Sequence, residues 1–182
     1  MRIIKRKLFW AWQFEKEEAW LNENSKEGQH LVAVSPLQIK YEFDQDPSKE
    51  YTYRIEFLDD LPSSRKGRDY LEFLEELEVE QIGSYLRWVY LRKDKDKGEF
   101  ELHSDLDSKI KHFKRVRVLF LVLLPMIIIN MINMINLFNR TKNLFSFLAA
   151  GLTIIVAMLF ITGFSSMSSK IKELDLNKNI WE

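Results

Sequence analysis

Cysteine is absent from the 182 residues, which excludes disulfides, thiol nucleophiles and cysteine-bearing zinc sites. Glycine is scarce at six, and the chain has no glycine-rich phosphate loop, nucleophile elbow or zincin pattern. The three histidines, His30, His103 and His112, lack the close helical or hairpin spacing that metal ligation uses, so no metal site is read from them. No cleavable leader is expected either. The start MRIIKRKLFWAW is basic, but its apolar stretch is short and runs into QFEKEE without a small-residue cleavage site. A net charge is also missing, with 27 Lys and Arg against 27 Asp and Glu.

That balance hides a division. Residues 1–103 carry 17 Lys and Arg against 22 Asp and Glu, whereas residues 104–182 carry 10 against 5. An acidic domain is poorly suited to neutralising phosphates, which argues against direct nucleic-acid binding. What the chain has in excess is apolar residues in two long runs. The first, VRVLFLVLLPMIIINMINMINLF over 116–138, is long enough to cross a bilayer, and so is the second, over 144–164. The short connector makes the pair a transmembrane helical hairpin. Lys109, Lys111, Lys114, Arg115 and Arg117 precede the first run and Lys170, Lys172 and Lys178 follow the second, with only Arg140 and Lys142 between. The positive-inside rule places both termini in the cytoplasm of a multi-pass cell-membrane protein.

Ahead of the hairpin, residues 1–93 read as a soluble cytoplasmic α+β domain and 94–115 as a charged linker and juxtamembrane helix. The Ser104 to Asp107 spacing suits a cap for that helix. The aromatic-rich segment 7–14 predicts a strand, the acidic-then-mixed segment 15–27 a helix, and 29–35 and 38–44 two strands around a turn at Pro36 and Leu37. The order then recurs: strand 51–58, helix 65–77 behind a Ser63 or Ser64 cap, and strands 80–85 and 88–92. Laying Leu31 on Ile82 aligns the halves. The expected fold is a duplicated β-α-β-β sandwich, with one sheet backed by two helices. Tyr70, Phe73, Leu74 and Leu77 share a helix face and are expected to be core. After the hairpin, the cytoplasmic tail 165–182 suits a short interfacial helix, with Ile171, Leu174 and Trp181 towards lipid.

No paired carboxylates read as catalytic: Asp59 and Asp60 suit a helix N-terminus, and Glu75, Glu76 and Glu78 a solvated face. The chain is read as non-enzymatic, with no cofactor implied. Most of its aromatics are expected in the core, while Trp10, Trp12, Tyr85 and Trp88 are candidates for an apolar ligand cleft. Within the first membrane run Asn130, Asn133 and Asn136 recur every third residue and occupy an arc of roughly 120°. Amides at that depth are expected against another helix. Ser146, Ala150, Thr153 and Ala157 supply a small-residue stripe on the second run for close packing or partner contact.

Three segments, FEKEEAWLNENSKEGQHLVAV, YRIEFLDDLPSSRKGRDYLEFLEELEVEQIGSYLRWVYLRK and HSDLDSKIKHFKRV, together resemble the bacterial DUF2812 family. Gln29 stands where such proteins often have an aromatic, and Leu86-Arg87 replaces a glycine-rich turn. The resemblance implies a membrane-anchored protein of Gram-positive bacteria, of a kind encoded beside PadR-like transcriptional regulators. It supplies no catalytic residues and points to regulation or envelope stress rather than metabolism. The expected function is a membrane-anchored regulatory or sensory protein whose cytoplasmic domain binds a protein or a small ligand. The expected partner is a protein, either a membrane protein or a transcriptional regulator, and a homo-oligomer is compatible. The alternative is an accessory subunit of a transporter or membrane enzyme, docking through the Asn-bearing helix.

Overall fold

A computed structural model describes residues 2–35, 39–102 and 106–181, with side chains through residue 177. Pro36, Leu37, His103, Ser104 and the Trp181 side chain, and with them the turn and cap expected there, lie outside the described residues. The chain divides into two units, Met1–Ser104 and Asp105–Glu182.

In the first unit the order is β1 (Ile3–Arg6), α1 (Phe14–Lys26), β2 (Gln29–Val34), β3 (Lys40–Gln45), β4 (Tyr51–Phe57), α2 (Arg65–Glu76), β5 (Val79–Tyr85) and β6 (Trp88–Asp94). The chain makes two antiparallel three-stranded sheets rather than the single sheet expected, ordered β1-β3-β2 and β4-β6-β5. In each, the last strand to be made is central. The second strands, β2 and β5, each lose register by one residue, at Val32 and at Ile82. On the free edge of β2 the backbone groups of Leu31 are taken by side chains of the other sheet. The Tyr53 hydroxyl accepts from Leu31 N at 2.9 Å, and Arg92 donates to Leu31 O at 3.3 Å. A bulged edge already bonded to side chains has no ladder left to offer a fourth strand, which is why the sheets stay separate.

The expected strand over 7–14 is also displaced. Pairing with β3 runs from Ile3 to Arg6, after which a 3-10 turn, Ala11–Gln13, leads into α1. Gln13 closes that turn through its own amide to Trp10 O at 2.7 Å and through its side chain, which accepts from Trp10 N at 3.2 Å. Local bonding starts the helix before the aromatic run can continue as strand. Both helices of this unit end in a left-handed residue, Gly28 at φ 73 and Glu78 at φ 63, one residue before β2 and β5 begin.

The interior of the unit lies on both faces of β6. Trp88 and Tyr90 point to the α1 side, where Trp88 meets Phe14 at 5.6 Å between ring centroids. Val89 and Leu91 join Leu58, Leu74, Val79 and Phe100 on the α2 side. Ser64 caps α2, accepting from Gly67 N at 3.0 Å, and a Cβ at Gly67 would meet Leu61 O at 2.1 Å, so the loop ahead of the helix can approach only a glycine. Of the expected apolar face, Leu74 is buried and Tyr70 and Leu71 flank it, but Phe73 and Leu77 are 53% and 49% exposed. The helix packs on β5, an edge strand, so only part of its apolar stripe reaches the sheet.

The second unit is a pair of long helices, α3 (Leu106–Thr141) and α4 (Leu144–Trp181), packed on one another. Lys142 at φ 48 turns the chain, and Asn143 Oδ1 accepts from Ser146 N at 2.8 Å to start α4. Both helices are long and apolar enough to cross a membrane. The tail forms no separate helix. Residues 165–181 continue α4 without a break, there being no proline or second helix-starting signal to interrupt it.

Candidate functional site

Helix α1 is the most polar element to be placed in the middle of the first unit, and its polar side chains explain how it can sit there. Strand β4 is an edge, so the N–H groups of Tyr51, Tyr53 and Ile55 point away from β6. Ser25, Asn22 and Glu18, spaced along one face of α1, accept from these three amides at 2.7, 2.7 and 3.1 Å. Asn22 also donates to Tyr53 O at 3.1 Å. The helix thus stands in for a neighbouring strand, satisfying an edge that would otherwise be left bare. Arg54 balances Glu18 at 3.1 Å.

The preceding residue, Glu17, is buried and accepts from Tyr41 of the first sheet at 2.7 Å and from Tyr90 of the second at 2.6 Å, both on the same oxygen. Burial pushes its carboxyl above the ordinary range, against the two hydroxyl bonds that favour the ionised form. Glu18 is also raised, to about 7, by burial that outweighs the attraction of Arg54 and the bond from Ile55 N. Around them stand Trp20, Phe9 and Phe43, with Trp20 edge-on to Tyr41 at 5.0 Å and to Phe43 at 5.6 Å. His30 is likewise a tying residue: Nε2 lies 2.7 Å from Asp46 O and Nδ1 3.4 Å from Ser25 Oγ, with Tyr51 across its ring. No group of three His, Asp or Glu side chains among the described residues is placed to hold a metal ion.

The four aromatics considered for a cleft fall into two pairs. Trp10 and Trp12 stack in parallel at 5.4 Å on the surface. Tyr85 and Trp88 face one another across the β5–β6 hairpin, and Trp88 is buried, filled in by Phe14 and by Phe57 at 4.9 Å. A concavity exists elsewhere, between α2 and β5. It is a groove of about 730 Å³ whose walls include Leu71, Val79 and Leu91 on the floor and Glu72, Glu75, Glu80 and Arg68 on the rim. Glu80 is paired with Arg92 at 2.7 Å, which leaves Glu72 and Glu75 against Arg68, and an apolar floor under that acidic excess favours an amphipathic cation. Asp59 and Asp60 are exposed in the loop before α2 and line no part of that wall.

The sequence profile of DUF2812, a protein of unknown function, matches residues 13–124. The chain belongs to the DUF2812 family. No curated protein and no solved structure matches it. The part shared with DUF2812 runs from the 3-10 turn ahead of α1 through β6 into the first half of α3. It therefore contains the α1 strap, the Glu17 network and the groove, while the Asn-bearing half of α3 and all of α4 lie beyond it.

In this DUF2812 chain the proposed membrane-helix residues separate. On α4, Ser146, Ala150 and Ala157 are buried and Thr153 half-buried, so the small-residue stripe is the seam with α3. Ser146 Oγ and Thr141 Oγ1 meet at 2.8 Å beside the connector, and Thr153 returns its hydroxyl to Ala150 O at 2.9 Å. The Asn130, Asn133 and Asn136 side chains are exposed on α3, outside that seam. Sequence reasoning treated Glu17 and Glu18 as helix-end acids. The signal it passed over is their company: Phe14, Glu17, Leu21, Asn24 and Ser25 are all buried, a stripe at helical spacing in which an acid occupies a core position.

Proposed function

We propose that this chain is a non-enzymatic membrane-anchored regulatory or sensory protein whose cytoplasmic domain binds a ligand or a protein segment through the groove between α2 and β5. The observation that carries this reading is the groove itself, with its apolar floor and the Glu72, Glu75 and Glu80 rim. Its chemistry selects an amphipathic, positively charged occupant, because a cation gains from Glu72 and Glu75, Glu80 being already paired with Arg92 at 2.7 Å, and an apolar body covers Leu71 and Val79. The hairpin α3–α4 holds the domain at the cytoplasmic face of the cell membrane, both termini inside, in keeping with the basic residues that flank the two runs. The matching order of elements in the two halves, with a left-handed helix end and a bulged second strand in each, supports a duplication of one β-α-β-β unit.

The test is a pull-down of the intact chain in mild detergent, run beside the double variant Glu72→Lys, Glu75→Lys and beside residues 1–104 alone. A partner held by the wild type and by the fragment, and lost on charge reversal, is the expected result. A partner that ignores the reversal and needs the hairpin would reject the groove and favour docking through the membrane helices.

A further inference from the structure

Asn133 and Asn136 lie on the face of α3 turned away from α4, and Asn130 lies on the flank between that face and the seam. Phe120 is buried, and Ile127, Met131, Met134 and Phe138 are half-buried, marking the seam, whereas all three asparagines are exposed. At 100° per residue the amides stand roughly 75°, 135° and 165° from the centre of that seam. No side-chain hydrogen bond to any of them occurs among the described residues. Measured along the helix from the middle of the apolar run, they sit about 4, 9 and 13 Å towards the connector, within the roughly 15 Å half-thickness of bilayer hydrocarbon. In that medium an amide needs a partner.

We propose that the partner is a second copy of this chain, packed through the outward face of α3. The inference rests on the membrane reading above. Identical anchors enter a membrane in one orientation, so a two-fold axis along the bilayer normal brings each asparagine to the depth of its own counterpart. An amide both donates and accepts, so like side chains satisfy one another across such an axis. An unrelated helix would have to carry matching polar groups at three depths, a condition the second copy meets by identity. Between Val118 and Asn139 α3 carries no charged residue, so nothing on the face repels its copy. Val122, Met126 and Ile129, all exposed around the amides, supply the apolar contact.

Because the chain has no cysteine, a single introduced one reports on contacts between copies. Full-length chain with Ile129→Cys, in native membranes treated with a mild oxidant, should form a disulfide-linked species of twice the chain mass. Met131→Cys, on the seam side, should not. Adding Asn130→Leu, Asn133→Leu and Asn136→Leu to the Ile129→Cys chain should lower the yield about tenfold, the loss expected on removing three interhelical amide pairs. Carbonate extraction of the same membranes reports insertion. A chain released by carbonate overturns the membrane reading and this proposal together. An inserted chain that gives no Ile129→Cys product, a product undiminished by the three leucines, or an adduct of some other mass overturns self-association while leaving the membrane reading intact.

Discussion

Replacing Asn22 by alanine tests the claim that α1 acts as a surrogate strand. The change removes the acceptor for Tyr53 N at 2.7 Å and the donor to Tyr53 O at 3.1 Å, two bonds to one residue of an edge strand. At a net 0.5–1.5 kcal/mol each, their loss costs about 1–3 kcal/mol, and more where water cannot replace them. Asn22 is half-buried, so water reaches part of the site and the expected cost is about 2 kcal/mol. Ser25→Ala, at a fully buried position, removes the bond from Tyr51 N and the longer contact with His30 Nδ1 and should cost about 1–3 kcal/mol because no water can follow. Glu23→Ala, exposed on the same helix, should stay within about 0.5 kcal/mol. The assay is urea unfolding of residues 1–104 followed by tryptophan fluorescence, with amide exchange at Tyr51, Tyr53 and Ile55. These edge amides should exchange as slowly as those inside the sheet, and Asn22→Ala should speed Tyr53 selectively. An Asn22→Ala midpoint equal to that of Glu23→Ala, with Tyr53 exchanging fast in the wild type, would refute the reasoning.

The same helix predicts a pH dependence. Glu18 is raised from 4.5 to about 7 in the folded chain, so the stability it contributes by holding a proton is full below about 4.5 and is lost as pH rises through about 7. The shift corresponds to at most about 3 kcal/mol, and partial exposure reduces this to about 1–2 kcal/mol between pH 5 and 8; Glu18→Gln should flatten the slope in urea titrations, leaving the part due to Glu17. Gly28→Ala would put a Cβ 2.8 Å from Pro47 Cα at φ 73 and should lower stability by more than about 1 kcal/mol, whereas Glu78→Gly relieves a left-handed residue and should raise it by about 0.5 kcal/mol after loss of the exposed Lys97 pair. Trp20→Ala, which empties the contacts with Phe9, Tyr41 and Phe43, should lower the calorimetric stability of the fragment by about 2–3 kcal/mol, less than for a fully buried tryptophan because Trp20 is half-buried.

Most of the elements could be read from the chain because their signals are local. Alternating Tyr51, Tyr53 and Ile55 mark β4, a serine cap at Ser63 or Ser64 marks the start of α2, and apolar length marks α3 and α4. The separation of the sheets was not legible, since it depends on bulges at Val32 and Ile82 and on side chains of one sheet bonding the edge of the other. Composition gives no hint of such bonds. The first strand was misplaced because aromatics at 7–14 carry strand propensity, while Gln13 folds them into a turn. The hairpin turn at Leu86-Arg87 has no glycine, yet Leu86 adopts φ 54. Arg87 holds it there, donating to Leu58 O at 2.6 Å and lying over Phe57 at 4.4 Å. For the site, a groove made by α2 and β5 is a tertiary product that no single motif announces. The outward asparagines were legible as an arc, but which side of the arc met α4 depended on how the two helices packed.

The central claim is that the acidic domain is held on the cytoplasmic face of a membrane by the α3–α4 hairpin. A reporter active only outside the cytoplasm, inserted at Thr141 in the connector, measures it most directly, with the same reporter fused after Glu182 as its partner. Signal from Thr141 and silence after Glu182 is the result the proposed topology predicts, in which the basic residues flanking the two runs keep both ends inside. Silence at Thr141, or signal from the C-terminal fusion, would contradict it.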